Sequence, residues 1–173
     1  MRRVLVIGSG GAGKSTFARR LAALTGLPLV HLDTLYWRPG WQAIPDADWA
    51  RVQEDVVAGE RWIIDGNYGR TLSLRIEASD TIIFLDLPRL VCIWRLLRRR
   101  YQYRKEHRPD LPVGCDEQMT WEFLYWVWTY PSRRRPDVLR RLDALREHKR
   151  VIILRTRQQV ERFLEATRSE RLT

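Results

Sequence analysis

Near the start of the chain the sequence reads Gly8-Ser9-Gly10-Gly11-Ala12-Gly13-Lys14-Ser15. This stretch matches the P-loop pattern G-x-x-x-x-G-K-[ST], whose backbone amides surround the phosphates of a nucleotide. An apolar β-like run, 4–7, precedes it, and a helix-like stretch, 15–24, follows it. Backbone N–H groups at such a strand-to-helix turn point toward an anion. The stretch therefore predicts a binding site for a nucleoside triphosphate.

The residue types of this P-loop indicate what each one binds. Lys14 is expected to reach the β- and γ-phosphates, and the Ser15 hydroxyl is expected to ligate Mg²⁺. Gly10 and Gly11 lack a Cβ, which we expect to let the backbone approach an anion closely. We therefore predict ATP and Mg²⁺ as cofactors. The predicted ATP-binding residues of the loop are Gly8, Ser9, Gly10, Gly11, Ala12, Gly13, Lys14, Ser15 and Thr16.

The length and composition of the chain predict one globular domain, 1–173. The first strand starts close to Met1, which leaves no room for a signal peptide. The apolar stretch 119–130 is too short to span a bilayer, so no membrane partner is expected. Cys92 and Cys115 lie far apart and indicate a reducing compartment. We therefore expect a cytoplasmic protein.

Positive charge is concentrated in the second half of the chain. Residues 91–173 contain 20 of the 31 Lys and Arg residues against 11 Asp and Glu residues, whereas residues 1–90 are nearly balanced. Two interpretations stay open: an arginine-rich clamp over nucleotide phosphates, or a face that binds nucleic acid. Under either interpretation, about half of these arginines are accounted for by solvated helix faces.

Strand-like and helix-like segments alternate five times along the chain. The predicted strands are 3–7, 29–32, 61–64, 81–85 and 151–154. This alternation predicts an α/β fold of the P-loop NTPase type, with a five-stranded parallel sheet and helices on both faces. The extra helical sequence at about 98–136 is predicted to form a helical, lid-like insertion.

Turn signals mark the predicted connections and helix ends. We predict loops at 34–41 and 106–117, the second as a mobile excursion, because both contain Pro and Gly. The stretch 131–136, with Pro131 and Pro136, is predicted to break the helix over 119–130, and a new helix is predicted from about 137 to 148.

Aspartates follow three of the predicted strands. Asp33, Asp65 and Asp86 stand at carboxyl ends, which form the ligand-binding edge of a parallel sheet. Asp65 is predicted to support Mg²⁺ through water. Asp33 is predicted to face the acceptor, as a general base for a hydroxyl or only as a positioning group for a phosphate. Asp86 is predicted to cap the next helix, and His31 to point away from Asp33 by strand alternation.

The order of these motifs resembles that in a known class of enzymes. A P-loop, a strand-2 Asp, a strand-3 Asp-Gly, Phe84-Leu85-Asp86-x-Pro88 and an arginine-rich insertion resemble the adenylate-kinase-like nucleoside and nucleotide kinases. The segments 31–41 and 62–68, with His-Leu-Asp, Trp-Arg-Pro-Gly-Trp and Asp-Gly-Asn-Tyr, look most like the bacterial DNA topology modulation proteins. The resemblance covers nearly the whole chain and implies the same metal-supporting role for Asp65.

The resemblance implies roles for further residues. It implies that Arg95 and Arg99 stack on adenine and hold phosphate. It also implies that Asp33 binds or deprotonates the acceptor. Arg70 is the candidate clamp for an acceptor phosphate. However, Gly69 stands where the adenylate-kinase pattern has its arginine, which counts against a nucleotide acceptor.

Residues in and near the aromatic segments complete the candidate site. One or more of Arg133, Arg134 and Arg135, with Arg134 as the candidate, is predicted to reach the transition-state charge as an arginine finger. Trp37 is predicted to contact the acceptor. The aromatic residues at 36, 37 and 41 and along 121–130 fit core packing, a stacking platform for a base or planar acceptor, or stacking on single-stranded nucleic acid.

Two functions follow from these residues. The first is ATP- and Mg²⁺-dependent phosphoryl transfer to a small molecule, with a nucleotide or nucleoside as the favoured acceptor. The second is a nucleic-acid-associated regulatory NTPase that uses ATP binding and hydrolysis as a switch. For the first function the predicted catalytic residues are Lys14, Asp33, Arg99 and Arg134, the acceptor ligands Asp33, Trp37 and Arg70, and the metal ligands Ser15 and Asp65.

Overall fold

The computed structural model describes residues 1–103, 114–115 and 119–172, the side chains of 171 and 172 excepted. Most of the predicted excursion at 106–117, and with it part of the predicted insertion at about 98–136, therefore lies outside the described residues. The described strands are β1 (Arg3–Gly8), β2 (Leu29–His31), β3 (Trp37–Arg38), β4 (Gln42–Ala43), β5 (Trp62–Asp65), β6 (Thr81–Leu85) and β7 (Arg150–Leu154).

Helices connect most of these strands. They are α1 (Lys14–Thr25), α2 (Leu32–Tyr36), α3 (Asp46–Ala58), α4 (Leu72–Ala78), α5 (Arg89–Gln102), α6 (Trp121–Arg133), α7 (Arg135–Ala144) and α8 (Arg157–Leu172), with a 3₁₀ turn at Gly69–Thr71. In the part of the chain that the structure describes, no helix combines the length and the apolar character needed to cross a membrane.

Five parallel strands form the central sheet in the order β2-β5-β1-β6-β7. β1 lies in the middle, and its register pairs Val4 with Ile63 of β5 and with Thr81 of β6. Every residue of β6 is buried, as a parallel strand covered on both faces requires. The predicted α/β fold with a five-stranded parallel sheet is confirmed.

Side chains alternate along the strands and divide the core into two clusters. Val4 and Val6 pack on one face with residues of α1, α5, α6 and α8. Leu5 and Ile7 pack on the other face with residues of α3, α4 and α7. The period of two along a strand sends successive residues to opposite faces, so helices cover both sides of the sheet.

The segment after β2 differs from the prediction. The predicted strand 29–32 ends at His31, and the predicted loop at 34–41 contains the end of α2 and the start of the β3–β4 hairpin. Leu32 is buried against Gly66, and the Thr34 hydroxyl donates to the His31 carbonyl over 2.7 Å. These contacts start a helical turn where the sequence pattern predicts an extended chain.

The predicted break within 131–136 is confirmed, because α6 ends at Arg133 and α7 begins at Arg135, although α6 continues past Pro131. Proline lacks an N–H and removes one helical hydrogen bond, and α6 ends two residues after it. The Arg134 N–H donates to the Tyr130 carbonyl over 3.0 Å, and α7 follows at once with Pro136 in its first turn.

Substitution of a central core residue tests this packing. Leu5 is fully buried on β1, so Leu5→Ala is expected to lower the free energy of unfolding by about 2–5 kcal/mol in urea denaturation. Leu90→Ala on α5 is the control, because Leu90 is 66% exposed and should cost less than about 0.5 kcal/mol. Equal losses in the two variants would contradict the placement of β1 in the core.

Candidate active site

The P-loop joins β1 to α1 in a conformation that needs glycine. Gly11 has φ 75° and Gly13 has φ 90°, both in the left-handed region that side chains disfavour. Gly13 is also the N-cap of α1, and because it has no side chain, it leaves the N–H groups of the first turn to a ligand. The Lys14 ammonium folds over the loop, 3.1 Å from the Ser9 carbonyl oxygen. The loop has the form of an anion site.

Helix packing is a second reason for the glycines of the loop. A Cβ on Gly11 would lie 2.3 Å from the Cys92 carbonyl oxygen of α5. A Cβ on Gly10 would lie 2.7 Å from the Phe123 ring and 2.9 Å from Val127, both on α6. We expected these glycines to serve the approach of an anion. The structure adds the approach of α5 and α6 to the loop.

Two cavities meet at the P-loop and share Gly11, Lys14, Ser15 and Arg99. The first, here called the Asp33 cavity, has a volume of about 500 Å³. Its further lining residues include Gly10, His31, Asp33, Trp37, Trp41, Asp65, Asn67, Tyr68, Thr120, Phe123 and Trp126. The second, the Arg95 cavity, has about 600 Å³ and is lined by Ala12, Gly13, Thr16, Arg95 and Arg157 among others.

The loop after β5 connects the P-loop to Asp33. The Asn67 side chain forms two hydrogen bonds with Gly8: its Oδ1 accepts from the N–H over 3.2 Å, and its Nδ2 donates to the carbonyl over 2.7 Å. The Tyr68 hydroxyl donates to Asp33 Oδ1 over 2.7 Å. Burial raises the pKa of Tyr68 above its ordinary value, and the charge of Asp33 adds to this shift. The phenol therefore stays protonated and acts as a donor to Asp33.

Asp65 is buried, with 4% of its surface exposed, at the carboxyl end of β5. Its Oδ2 lies 3.0 Å from His31 Nδ1, which carries the proton of this hydrogen bond if the carboxylate is ionised. Its Oδ1 is buried without a hydrogen-bond partner in the described part of the chain. Magnesium is bound through few carboxylates together with water and phosphate, and the unpaired oxygen of Asp65, in the cavity that Ser15 also lines, fits that requirement.

His31 and Asp33 line the same cavity, so the prediction that they point to opposite sides is wrong. Residues two positions apart on a strand share a face, so alternation itself does not separate His31 from Asp33, and α2 begins between them at Leu32. Asp86 also differs from its predicted capping role. Its two carboxylate oxygens accept from Arg135 Nε and Nη2 over 2.7 and 2.8 Å, and Arg155 Nε lies 3.4 Å away.

The predicted arginines fall into two groups. Arg95 donates from Nη1 to the Ala12 carbonyl over 3.0 Å in its cavity, and Arg99 lines both cavities. Arg70 and Arg134 line neither of the two cavities described above. The Arg70 side chain is 82% exposed and forms an ion pair with Asp46. Arg134 is exposed at the junction of α6 and α7.

Several residues of the site are absent from the sequence prediction. The hydrogen-bonding roles of Asn67 and Tyr68 depend on tertiary contacts that no local pattern indicates. Arg75 of α4 is fully buried behind them. One signal was available for Arg75: it shares a helical stripe with the apolar residues Leu72 and Ile76, where an arginine is unusual.

Comparison with known proteins identifies the fold. A shikimate kinase from Bacteroides thetaiotaomicron aligns with a TM-score of 0.58 and 17% identity, covering 99% of both chains. A shikimate kinase from Acinetobacter baumannii, solved in complex with shikimate, aligns with a TM-score of 0.51 and 18% identity, covering 100% of this chain and 96% of that one. The chain has the fold of the P-loop kinases.

Sequence comparisons add no closer relative. No protein-family model matches the chain, and no curated protein sequence matches it either. The likeness to bacterial DNA topology modulation proteins therefore stays a prediction, as does membership of the adenylate-kinase-like group.

A methyl group on the P-loop tests the contact with α5. Gly11→Ala is expected to weaken ATP binding at least about tenfold in titration calorimetry, because its Cβ would overlap the Cys92 carbonyl and displace the loop. The matched control is Gly26→Ala, which has a similar φ of 68° but no heavy atom within 4 Å of the added Cβ. Equal ATP affinity in the two variants would show that α5 does not constrain the loop.

Proposed function

We propose that the protein is an ATP- and Mg²⁺-dependent phosphotransferase that phosphorylates a hydroxyl group of a small molecule. One observation carries the proposal: the Asp33 carboxylate, which accepts a hydrogen bond from Tyr68, lines a cavity that is also lined by the P-loop residues Lys14 and Ser15. A carboxylate on the acceptor side of a P-loop can take a proton from a hydroxyl group. Simple hydrolysis needs no acceptor cavity of this size.

Each residue has a defined task in the proposed reaction. ATP occupies the Arg95 cavity, with its phosphates on the P-loop amides and on Lys14. The acceptor occupies the Asp33 cavity, and its hydroxyl oxygen bonds to the γ-phosphorus while the bond to the ADP oxygen breaks. Asp33 takes the hydroxyl proton. Arg99 borders both cavities, where a guanidinium can stabilise the charge of the transferring group.

The residues present fit a magnesium ion. Ser15 would hold it through its hydroxyl and Asp65 through water, because the unpaired Asp65 oxygen needs a partner. When bound, the ion neutralises charge on the phosphates. In the described residues no cluster of three or more His, Cys, Asp and Glu side chains could hold a metal by itself.

The favoured acceptor within the predicted class is a nucleoside rather than a nucleotide. The Asp33 carboxylate would repel a phosphate and would accept a hydrogen bond from a hydroxyl group. The cavity also has aromatic walls, including Trp37, Trp41 and Phe123, which suit a planar ring. Arg70, the predicted phosphate clamp, is paired with Asp46 outside this cavity.

The role of Asp33 gives the main test. Asp33→Asn is expected to lower kcat by about 10²–10⁴ because the amide cannot accept the proton, while the Kd for ATP stays within about twofold. Transfer from labelled ATP to a panel of nucleosides, nucleoside monophosphates and small alcohols measures kcat, and calorimetry measures Kd. The matched control is Asp137→Asn, an exposed aspartate on α7 paired with Arg140, which should leave both values unchanged.

Two outcomes would contradict the proposal. The first is unchanged turnover in Asp33→Asn. The second is wild-type protein that binds ATP yet transfers phosphate to no acceptor in the panel. Lys14→Ala tests the ATP-binding part of the site separately. Without the charge of the lysine, all nucleotide-dependent activity should be lost.

Arg70 distinguishes the acceptor classes. Because Arg70 is exposed and paired with Asp46, Arg70→Ala is expected to leave KM for the acceptor unchanged. A rise in KM of about tenfold or more, for a monophosphate but not for its nucleoside, would instead support the phosphate clamp that the sequence predicts.

A second candidate function, a nucleic-acid-associated NTPase, is favoured by exposed aromatic rings that have an arginine guanidinium packed against them. The Arg89 guanidinium lies 4.2 Å from the centre of the Trp128 ring, and that of Arg133 lies 5.4 Å from the centre of Tyr125. Such pairs can stack on bases and attract phosphates. An anisotropy titration with a single-stranded oligonucleotide tests this function: binding that falls steeply between 50 and 200 mM salt and stimulates hydrolysis favours it, whereas no binding at 50 mM salt contradicts it.

A further inference from the structure

We propose that Arg75 is a positioning residue for phosphoryl transfer. Its buried guanidinium holds the loop 66–68, and through this loop it holds both Asp33 and the start of the P-loop. The inference rests on the proposed function, because it takes Asp33 as the group that receives the proton.

The guanidinium of Arg75 binds three consecutive carbonyl groups. Nη1 donates to Gly66 over 3.2 Å, and Nη2 donates to Asn67 over 2.7 Å and to Tyr68 over 2.9 Å. The guanidinium has five N–H donors in one plane, so a single side chain can bind three successive carbonyls. The contact therefore determines the direction of the backbone at each residue of the loop.

The burial of Arg75 is costly, which indicates that its position has a purpose beyond packing. The side chain is fully buried, and among the residues that the structure describes its Nε has no hydrogen-bond partner and it forms no ion pair. Burial lowers the pKa of Arg75 to about 10, so the group is still charged at neutral pH. An apolar side chain would fill the same space without desolvating a charge.

The loop that Arg75 holds has an unusual backbone. Tyr68 has φ 27° and ψ 74°, in the region that residues other than glycine rarely adopt. Gly66 has φ 147° and packs so closely on Leu32 that a Cβ would lie 2.8 Å from the Leu32 Cβ. Such a conformation persists only when the surrounding contacts enforce it, and the three hydrogen bonds from Arg75 supply that enforcement.

The side chains of the same loop act on the two halves of the site. Asn67 forms its two hydrogen bonds with Gly8, the first residue of the P-loop. Tyr68 donates to Asp33 Oδ1 over 2.7 Å. A change in the loop backbone would therefore move the proposed base relative to the phosphates, and a displacement of 1 Å is enough to slow a transfer reaction strongly.

A double-mutant cycle tests this role. Arg75→Lys keeps the charge but cannot reach three carbonyls, and Tyr68→Phe removes the hydrogen bond to Asp33. Each is expected to lower kcat about 10- to 100-fold, measured well below the melting temperature, with KM for ATP changed less than about threefold. If Arg75 acts through Tyr68, the double variant is no slower than the more impaired single variant. Multiplied effects, or unchanged kcat in Arg75→Lys, would overturn the proposal.

Hydrogen exchange supplies a readout that does not depend on activity. In Arg75→Lys, faster exchange is expected in peptides that cover 66–72 and the P-loop, with the peptides of β6 and β7 unchanged. Uniformly faster exchange would show a general loss of stability and would overturn the positioning role. Arg146→Lys, an exposed arginine paired with Asp143, is the control that should change nothing.

The two proposals fail in different ways. If the wild-type protein transfers phosphate to no acceptor, the proposed function fails, and the exchange measurement still decides whether Arg75 orders the loop. Arg75→Gln, whose amide can donate to part of the carbonyl set, replaces Arg75→Lys if the lysine variant does not fold. If neither variant folds, Arg75 is a residue of the fold as a whole, and the positioning role is wrong.

Discussion

The conformation of the P-loop depends on the close packing of other strands and helices against it. β6, α5 and α6 reach Gly8, Gly11 and Gly10 so closely that a Cβ at any of the three would overlap them. All three glycines allow these elements to converge on the loop, and Gly8 and Gly11 also have a positive φ that side chains disfavour. Because the loop is held from several sides by protein, its amides are arranged before a ligand arrives, which is the condition for effective electrostatic stabilisation.

The sheet could be predicted from the sequence because its strands are continuous apolar runs between turn signals. The apolar run that contains Ile82 and Phe84 is typical of a strand covered on both faces. The short helix α2 could not be predicted in this way. Its start depends on Leu32, which is buried against Gly66 more than thirty positions along the chain, and no local pattern reports such a contact. The break between α6 and α7 could be predicted to within a few residues from Pro131 and Pro136, although α6 continues two residues past Pro131.

In the candidate site too, some residues could be placed from a sequence pattern and others depend on tertiary contacts. Carboxylates at strand ends are placed by topology, and this is why Asp33 and Asp65 come together in one cavity with the P-loop. Arginine side chains are long, and their direction depends on tertiary partners. Arg70 pairs with Asp46 outside the cavity, and Arg75 turns inward to backbone carbonyls that no sequence pattern marks as its ligands. Spacing along the chain cannot distinguish these two outcomes for two arginines five residues apart.

The geometry of the two carboxylates follows from the register of the sheet. His31 lies directly opposite Asp65 in the pairing of β2 with β5, and the hydrogen bond between their side chains joins these two strand ends. A few residues further on, the Tyr68 hydroxyl donates to Asp33. Two side-chain hydrogen bonds therefore join the segment 31–33 to the segment 65–68. A slip of one residue in this register would turn every side chain of β2 to the other face and break both contacts. The pairing of β2 with β5 therefore determines where the backbones of Asp33 and Asp65 lie relative to each other. The side chains make only small changes to the distance between the two carboxylates.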